Sequence, residues 1–296
     1  MEQNGYTYTG AGEINLLDYS TAAPKNVPKD SIIKQLDKNK QELEHLLDKL
    51  YAAKQEGIII LLQSLDGAGK FSLIKNLFSC FNAVGLHVYF FDEPSREELR
   101  HDLLWRFHQT MPKRGEIALL NHSYYEDIVQ CMVHKSWQKH PLPERITAKG
   151  EQAFFEQSYA HIRSFEHYLQ ESGYRVVKLF LNVSEDKQVE RYIDRMQKPS
   201  RHWKFSSADI VARGYRPDYI AAYARSFAAT ATEQSPWHII PADHKWYTQY
   251  VVSDILLNVF HDIAPKYPAP NEKEQLQIPI YLDRLTREMQ NDETKL

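Results

Sequence analysis

The stretch Gly57-Ile-Ile-Ile-Leu-Leu62, continued by Gln63 and Ser64-Leu-Asp-Gly-Ala-Gly-Lys70-Phe71-Ser72, decides the fold. Its first six residues contain an unbroken apolar run, the signature of a strand buried on both faces of a parallel sheet. A turn of small residues ending in lysine follows at once, and Ser72 to Phe81 reads as a helix. Small residues let backbone N–H groups point inward, and the lysine adds a full positive charge, so a strand, turn and helix of this kind can hold a phosphate. The match to GxxxxGK[ST] is incomplete, because Ser64 stands where the first glycine belongs and Phe71 where Ser or Thr belongs. The plainer reading is an ordinary strand-to-helix turn with a surface lysine. Asp66 is the unusual member, since a carboxylate repels phosphate unless a cation lies between them. Magnesium coordination or activation of an acceptor would explain it.

Working outward, strands alternate with helices. Strands are expected at Leu86–Phe91, Glu116–Leu120, Tyr174–Leu181 and Trp237–Ile240. Helices are expected at Ile32–Tyr51, with Asp30 as its cap, and at Ser95–Thr110, Ser123–Val133, Glu151–Gln170, Glu185–Met196, Ser207–Ala229 and Trp246–Phe260, with a last one from Pro279 to Gln290. This order implies an α/β fold: a parallel sheet with helices on both faces. Residues 1–30 read as an extended polar arm, 31–262 as one domain, and 263–296 as a tail.

The 296 residues are 43% hydrophobic and 25% charged, with a formal charge of −3. Such a balance argues against a nucleic-acid-binding protein, and any polyanion must be held by a local basic patch. Cys80 and Cys131 are too few for a zinc site or a disulfide framework and read as buried free thiols on helices. Low cysteine use suits a reducing cytosol. The polar N-terminus lacks a signal core, and no apolar run is long enough for a bilayer. The reading is a cytoplasmic protein without a membrane partner.

Two further constellations carry chemistry. Asn121, His122, Ser123, Tyr124, Tyr125, Glu126 and Asp127 follow the third strand. In an open α/β sheet the carboxyl ends of strands line the binding crevice. The same residues also read as a capped helix start, with Ser123 capping and Glu126 closing the box. Arg191, Arg195, Lys198, Arg201, Lys204 and Arg213 place six cations within 23 residues. They form either the basic patch that a polyanion requires or a solvated helix face. Pro199 and Ser200 interrupt that helix, as a mobile lid would need.

Taken together these residues resemble the second polyphosphate kinase family, in particular its class III branch. The resemblance runs through Leu62-Gln-Ser-Leu-Asp66-Gly-Ala-Gly-Lys70, Glu93-Pro-Ser, His101-Asp-Leu-Leu-Trp-Arg106, Pro112-Lys-Arg-Gly115, Asn121 to Asp127, Trp203-Lys-Phe-Ser206, Thr230-Ala-Thr-Glu233 and Pro241-Ala-Asp243-His-Lys245-Trp-Tyr247, covering about residues 6–262. It implies a P-loop kinase-like core with a helical lid near residues 190–215. It also implies homo-oligomers and Mg2+-dependent phosphate transfer between inorganic polyphosphate and a nucleotide of the ADP, AMP or GDP type. On this resemblance Asp66, Lys70, Arg191 and Arg195 are the expected catalytic residues, with Asp66 also the metal ligand. Gly67, Ala68, Gly69, Asn121, His122, Lys204 and Arg213 are the expected phosphate- and nucleotide-binding residues.

The chain departs from the family pattern at four places. The family usually has Asp where Phe71 stands, Lys where Asp92 stands, Arg where His122 stands and Trp where Arg216 stands. Two cationic positions near the phosphates have thus become an acid and a weak base. A kinase that uses a nucleoside triphosphate on a nucleoside monophosphate, and an impaired paralogue that only binds nucleotide or polyphosphate, are the alternatives.

Overall fold

The computed structural model describes residues 5–139 and 141–293. Six strands form one sheet: β1 (Thr7–Tyr8), β2 (Gly57–Ser64), β3 (Leu86–Phe90), β4 (Ile117–Asn121), β5 (Tyr174–Asn182) and β6 (Trp237–Pro241). Among the described residues, eleven α-helices lie between and after them. The first six are α1 (Lys29–Ala53), α2 (Lys70–Asn76), α3 (Trp105–His108), α4 (Tyr124–Val133), α5 (Glu144–Thr147) and α6 (Gly150–Glu171). The others are α7 (Glu185–Gln197), α8 (Ser207–Ala212), α9 (Arg216–Thr230), α10 (Lys245–Ile263) and α11 (Glu272–Glu293).

The sheet order is β1-β6-β5-β2-β4-β3. Every neighbour pair is parallel except β1 with β6. The run Ile58–Leu62 explains why β2 is central: all its residues are buried between β4 and β5. Helices cover both faces, with α1, α2 and α10 packed together as one group and α4, α6 and α9 as another. The buried stripe of α1 comprises Ile32, Leu36, Leu43, Leu46, Leu47 and Leu50, and Asn39 within it donates to Ser253 Oγ at 2.9 Å on α10.

Several expectations need correction. The N-terminal arm is not merely extended: Thr7 and Tyr8 pair with His238 and Trp237 and close one sheet edge. The first four residues of that arm lie outside the described residues. Helix α1 starts before Asp30, which sits in the first turn, with Pro28 at the cap position. The helix expected over 95–110 is broken: a 3₁₀ turn spans Glu98–Arg100, and α3 begins only at Trp105. Ser95 and Asp102 each bond a nearby backbone N–H, at Glu98 and Leu104, so their side chains compete with a continuous helix. The helix expected over 207–229 is split by a 3₁₀ turn at Arg213–Tyr215, where Pro217 opens α9. Helix α11 begins seven residues earlier than Pro279 and holds that proline inside it.

Candidate active site

The loop from Ser64 to Lys70 leaves the carboxyl end of β2 between the ends of β4 and β5. Gly67 and Gly69 adopt φ of 78° and 107°, the left-handed region that glycine enters without strain. Lys70 donates to Ser64 Oγ at 3.0 Å, so the serine in the first-glycine position anchors the lysine across the loop. Among the described residues, the Asp66 carboxylate has no hydrogen-bond partner, while the Asp66 carbonyl accepts from Gln188 Nε2 at 2.6 Å.

Helix α7 lies over this loop. Its positions 188, 191, 192 and 195 share one face by helical spacing. Arg191 donates to the carbonyls of Gly67 (3.0 Å) and Ala68 (2.6 Å) through Nη1, and to those of Ala242 (2.6 Å) and Asp243 (3.2 Å) through Nη2. One guanidinium thus ties the glycine-rich loop to the end of β6. Arg195 points the other way along the helix, donating to the Lys204 carbonyl at 3.0 Å and to Asp209 Oδ2 at 2.9 Å. Arg213 engages Glu185 at 3.1 Å and Gln188, and Arg216 engages Gln188 and the Val183 carbonyl at 2.7 Å. The basic patch is therefore partly spent on holding the lid segments to each other and to the loop.

Lys204 is placed differently. Its ammonium sits 3.4 Å over the Phe71 ring and 4.7 Å from the Trp203 ring, and these two rings meet edge to face at 6.3 Å. Burial lowers its pKa first, and the surrounding Arg195, Lys75, Arg201 and Lys245 lower it further. Phe71 and Trp203 are both exposed, so this cation–aromatic contact joins the first turn of α2 to the lid at the mouth of the loop.

On the other side of the loop, β4 delivers Asn121 and His122. His122 has φ of 64°, strained for a residue with a Cβ, and such strain gathers at sites where surrounding structure imposes it. The buried Asn121 Oδ1 and His122 Nδ1 atoms have no hydrogen-bond partner. His122 Nδ1 lies 3.4 Å from Glu126 Oε2, which also accepts from the Tyr223 hydroxyl at 2.6 Å. Burial alone would raise the Glu126 pKa, but His122, Lys70 and Tyr223 together hold it down at about 2. Glu126 is thus a partly buried anion held beside Lys70. It does not close a capping box, although Ser123 does cap α4 by accepting from Tyr125 N–H at 3.3 Å. Asp92 is exposed, and only its carbonyl is held, by Arg106 Nη1 at 2.9 Å.

Sequence reasoning placed Asp66, Gly67, Ala68, Gly69, Lys70, Arg191, Asn121 and His122 in the site, and the fold brings all of them around one loop. It left out Gln188, Tyr192 and Tyr223, and it named Glu126 only within the polar set after the third strand and as part of a helix cap. The available signal was the shared face of α7 and the position of Glu126 one turn beyond His122. The pocket lined by Ser64, Asp66, Glu126, Asp209, Arg213 and Tyr223 among others holds only about 20 Å3, room for about one water. A cavity of about 1230 Å3 lies at the opposite, amino-terminal ends of β5 and β6, away from the loop. Cys131 is buried on α4 and Cys80 half-buried in a 3₁₀ turn, and burial pushes both thiols up to about 11. Among the described residues no helix is long and apolar enough to cross a membrane.

Comparison with known proteins places this geometry. Residues 26–268 match the sequence model of the family described as Polyphosphate kinase 2. An ADP-polyphosphate phosphotransferase of Rhodopseudomonas palustris is 35% identical over 244 residues, covering 80% of this chain and 83% of that protein. An AMP/ADP-polyphosphate phosphotransferase of Meiothermus ruber is 33% identical over 261 residues, covering 88% and 93%. The crystal structure of polyphosphate kinase 2 from Arthrobacter aurescens TC1 superposes with a TM-score of 0.83 at 28% identity, covering 94% of this chain and 98% of that one. A loop, lid and sheet of this order, matched along nearly the whole domain, mean that the chain belongs to the polyphosphate kinase 2 family.

Proposed function

We propose that this chain is a kinase that transfers phosphate between inorganic polyphosphate and nucleoside mono- or diphosphates. The observation that carries the reading is the Lys70 ammonium, held by Ser64 at the carboxyl end of β2 beneath a lid bearing Arg195 and Lys204. The names of the Rhodopseudomonas and Meiothermus relatives support the substrates. In the direction of nucleotide synthesis, a terminal phosphate oxygen of the acceptor attacks the end phosphorus of the chain. The bond from that phosphorus to its bridging oxygen breaks, and the shortened chain leaves as an oxyanion. The attacking oxygen is already anionic, so no base is required. The protein has to position two polyanions and neutralise the charge between them. Lys70 and the loop amides would hold the transferred phosphate, Arg195 and Arg213 would turn from their lid partners toward the phosphates, and Lys204 would face them from its place over the Phe71 ring. Arg191 would act from the loop carbonyls, by keeping the loop in shape.

Magnesium fits the donor set. Asp66 and the unpartnered Asn121 Oδ1 are hard oxygen donors. The described residues contain no group of three or more His, Cys, Asp or Glu that could cage a metal. That suits an ion which keeps its waters and binds through one or two carboxylates plus substrate phosphates. When bound, it would supply positive charge to the phosphate oxygens. The low cysteine content supports a cytoplasmic setting, and the family resemblance supports a homo-oligomer.

The test incubates the purified protein with long-chain polyphosphate, magnesium and ADP or AMP, and measures new nucleoside di- or triphosphate beside Lys70→Ala. Transfer that falls at least ~100-fold in a folded Lys70→Ala protein is expected, by analogy with other single electrostatic donors. Transfer from ATP but not from polyphosphate would replace this reading with the nucleoside monophosphate kinase.

A further inference from the structure

On the face of α7 that covers the loop, Tyr192 carries a polar atom with no bond to make. The residue is 3% exposed. Its hydroxyl is buried and, among the described residues, has no hydrogen-bond partner. Burying a donor without an acceptor is destabilising, and nearly all buried polar groups of folded proteins are paired. Burial pushes the phenol up first, and the charges of Asp66 and then Asp209 push it further, so the group stays a neutral O–H that can donate.

The surroundings leave it one acceptor. The ring lies against the loop: a Cβ built on Gly67 would stand 3.4 Å from Tyr192 Cζ and 3.6 Å from the hydroxyl oxygen. The nearby loop carbonyls are taken, that of Asp66 by Gln188 Nε2 and those of Gly67 and Ala68 by Arg191 Nη1. Two carboxylates bear on the hydroxyl. Asp209 is held by Arg195 Nη1 at 2.9 Å. Asp66 bears on it more strongly, and its carboxylate has no hydrogen-bond partner among the described residues. The Arg195 guanidinium sits 5.2 Å from the centre of the same ring, so Tyr192 stands between the lid arginine and the loop aspartate.

We propose that Tyr192 is a positioning residue: with substrate bound, its hydroxyl donates to the Asp66 carboxylate and fixes how that carboxylate faces magnesium and the acceptor. The movement that joins them is a rotation about the two side-chain bonds of Asp66. Hydrogen bonds of this kind are commonly long in a free enzyme and tighten when substrate binds. A carboxylate that gives one oxygen to a fixed donor turns the other toward its ligand, which is how supporting residues orient metal-binding groups. The inference rests on the role proposed above for Asp66 and adds a residue that the family resemblance did not single out.

The experiment is a double-mutant cycle on the full-length chain, with wild type, Tyr192→Phe, Asp66→Ala and the double variant. Each protein is titrated calorimetrically with ADP in the presence of magnesium, melted without ligand, and assayed for transfer. Phenylalanine removes one oxygen and keeps the ring beneath Arg195. Tyr192→Phe is expected to melt at or slightly above the wild type, because an unpaired hydroxyl no longer has to be buried. Its affinity for magnesium–ADP should fall at least ~10-fold, the order of loss when a group supporting a metal ligand is removed. In the Asp66→Ala background the same change should do little, because the two residues act through one contact. Equal affinity in Tyr192→Phe and the wild type overturns the proposal. So does a loss that persists undiminished beside Asp66→Ala, which puts the partner of the hydroxyl elsewhere. A Tyr192→Phe protein that melts well below the wild type makes the hydroxyl a purely structural bond and overturns it as well. The transfer assay keeps the two readings apart: a wild type that shows the expected binding cycle but moves no phosphate from polyphosphate refutes the kinase and supports Tyr192.

Discussion

Replacing Arg191 separates two roles that the sequence could not distinguish, a contact with the reacting phosphates and a clamp on the loop that holds them. The guanidinium makes four hydrogen bonds to carbonyls of residues 67, 68, 242 and 243, at 2.6 to 3.2 Å. Hydrogen bonds from a charged donor contribute about 1.5–3 kcal/mol each. The four share one side chain, and water can reach part of the vacated space, so their sum overstates the loss. About 3 kcal/mol is the expected cost of Arg191→Ala, allowing for that lack of additivity. For a domain of this size each kcal/mol shifts the melting temperature by roughly 2–4 °C, giving a fall of about 6–12 °C. The loop, untied from β6, should also grip phosphate less well, so apparent affinity for both substrates should fall together with turnover. Arg191→Lys keeps the charge but not the fork, and should lie between alanine and the wild type in stability. The assay is differential scanning calorimetry with steady-state kinetics on all three proteins. An alanine variant that melts within about 1 °C of the wild type, yet loses turnover, would refute the clamp and return Arg191 to the transition state.

Other consequences follow from the same geometry. Glu126 has its pKa depressed to about 2 against the usual 4.5, so the stability it contributes is complete above pH 4.5 and is lost as pH falls toward 2. Acid denaturation of Glu126→Gln should accordingly show a flatter stability profile between those values, and an unchanged slope would show that the carboxylate is not held by its neighbours. His238 is pushed down to about 4 from 6.5 by burial and then by Lys178, so the unfolded chain binds the extra proton. Stability should therefore fall as pH drops from 6.5 toward 4, by about 3 kcal/mol at 1.36 kcal/mol per unit. His238→Asn should remove that slope in pH-dependent melting. Phe71→Ala deletes the ring beneath the Lys204 ammonium. With the cation–aromatic contact and the ring pair each worth about 0.5–1.5 kcal/mol, lid closure should weaken by roughly tenfold and raise the polyphosphate KM without altering the melting temperature. A KM equal to that of the wild type would show that the contact does not bias the lid.

Much of the architecture is written locally. Ile58 to Leu62 had to be a central strand, because five consecutive apolar residues with no polar alternation need burial on both faces. Gly67 and Gly69 had to make the turn, because the backbone there enters a region where a Cβ is strained. The placement of Lys70 at the carboxyl end of that strand follows from chain direction alone, as does that of Asn121 and His122 at the end of β4. Apolar residues at helical spacing likewise announced α1. The helix expected over 95–110 failed because Ser95 and Asp102 offered the backbone nearer partners, a competition that periodicity does not register.

Tertiary structure alone decided what each charged side chain does. Arg191 and Arg195 are one turn apart on α7 and look equivalent in sequence. Their partners are carbonyls at residues 67–68 and 242–243 for one, and Lys204 and Asp209 for the other. Only the folding of β6 and the lid against the same helix separates a loop clamp from a lid contact. Glu126 looked like part of a helix cap, and became a held, partly buried anion because Lys70 and Tyr223 arrive from elements far away in the chain. The arm residues Thr7 and Tyr8 form a strand only because β6 presents an open edge to them. Local sequence sets the backbone states and the burial pattern, since those depend on a residue and its near neighbours. The partner of a long polar side chain depends on which distant segments converge on it, and that is settled only when the chain has closed.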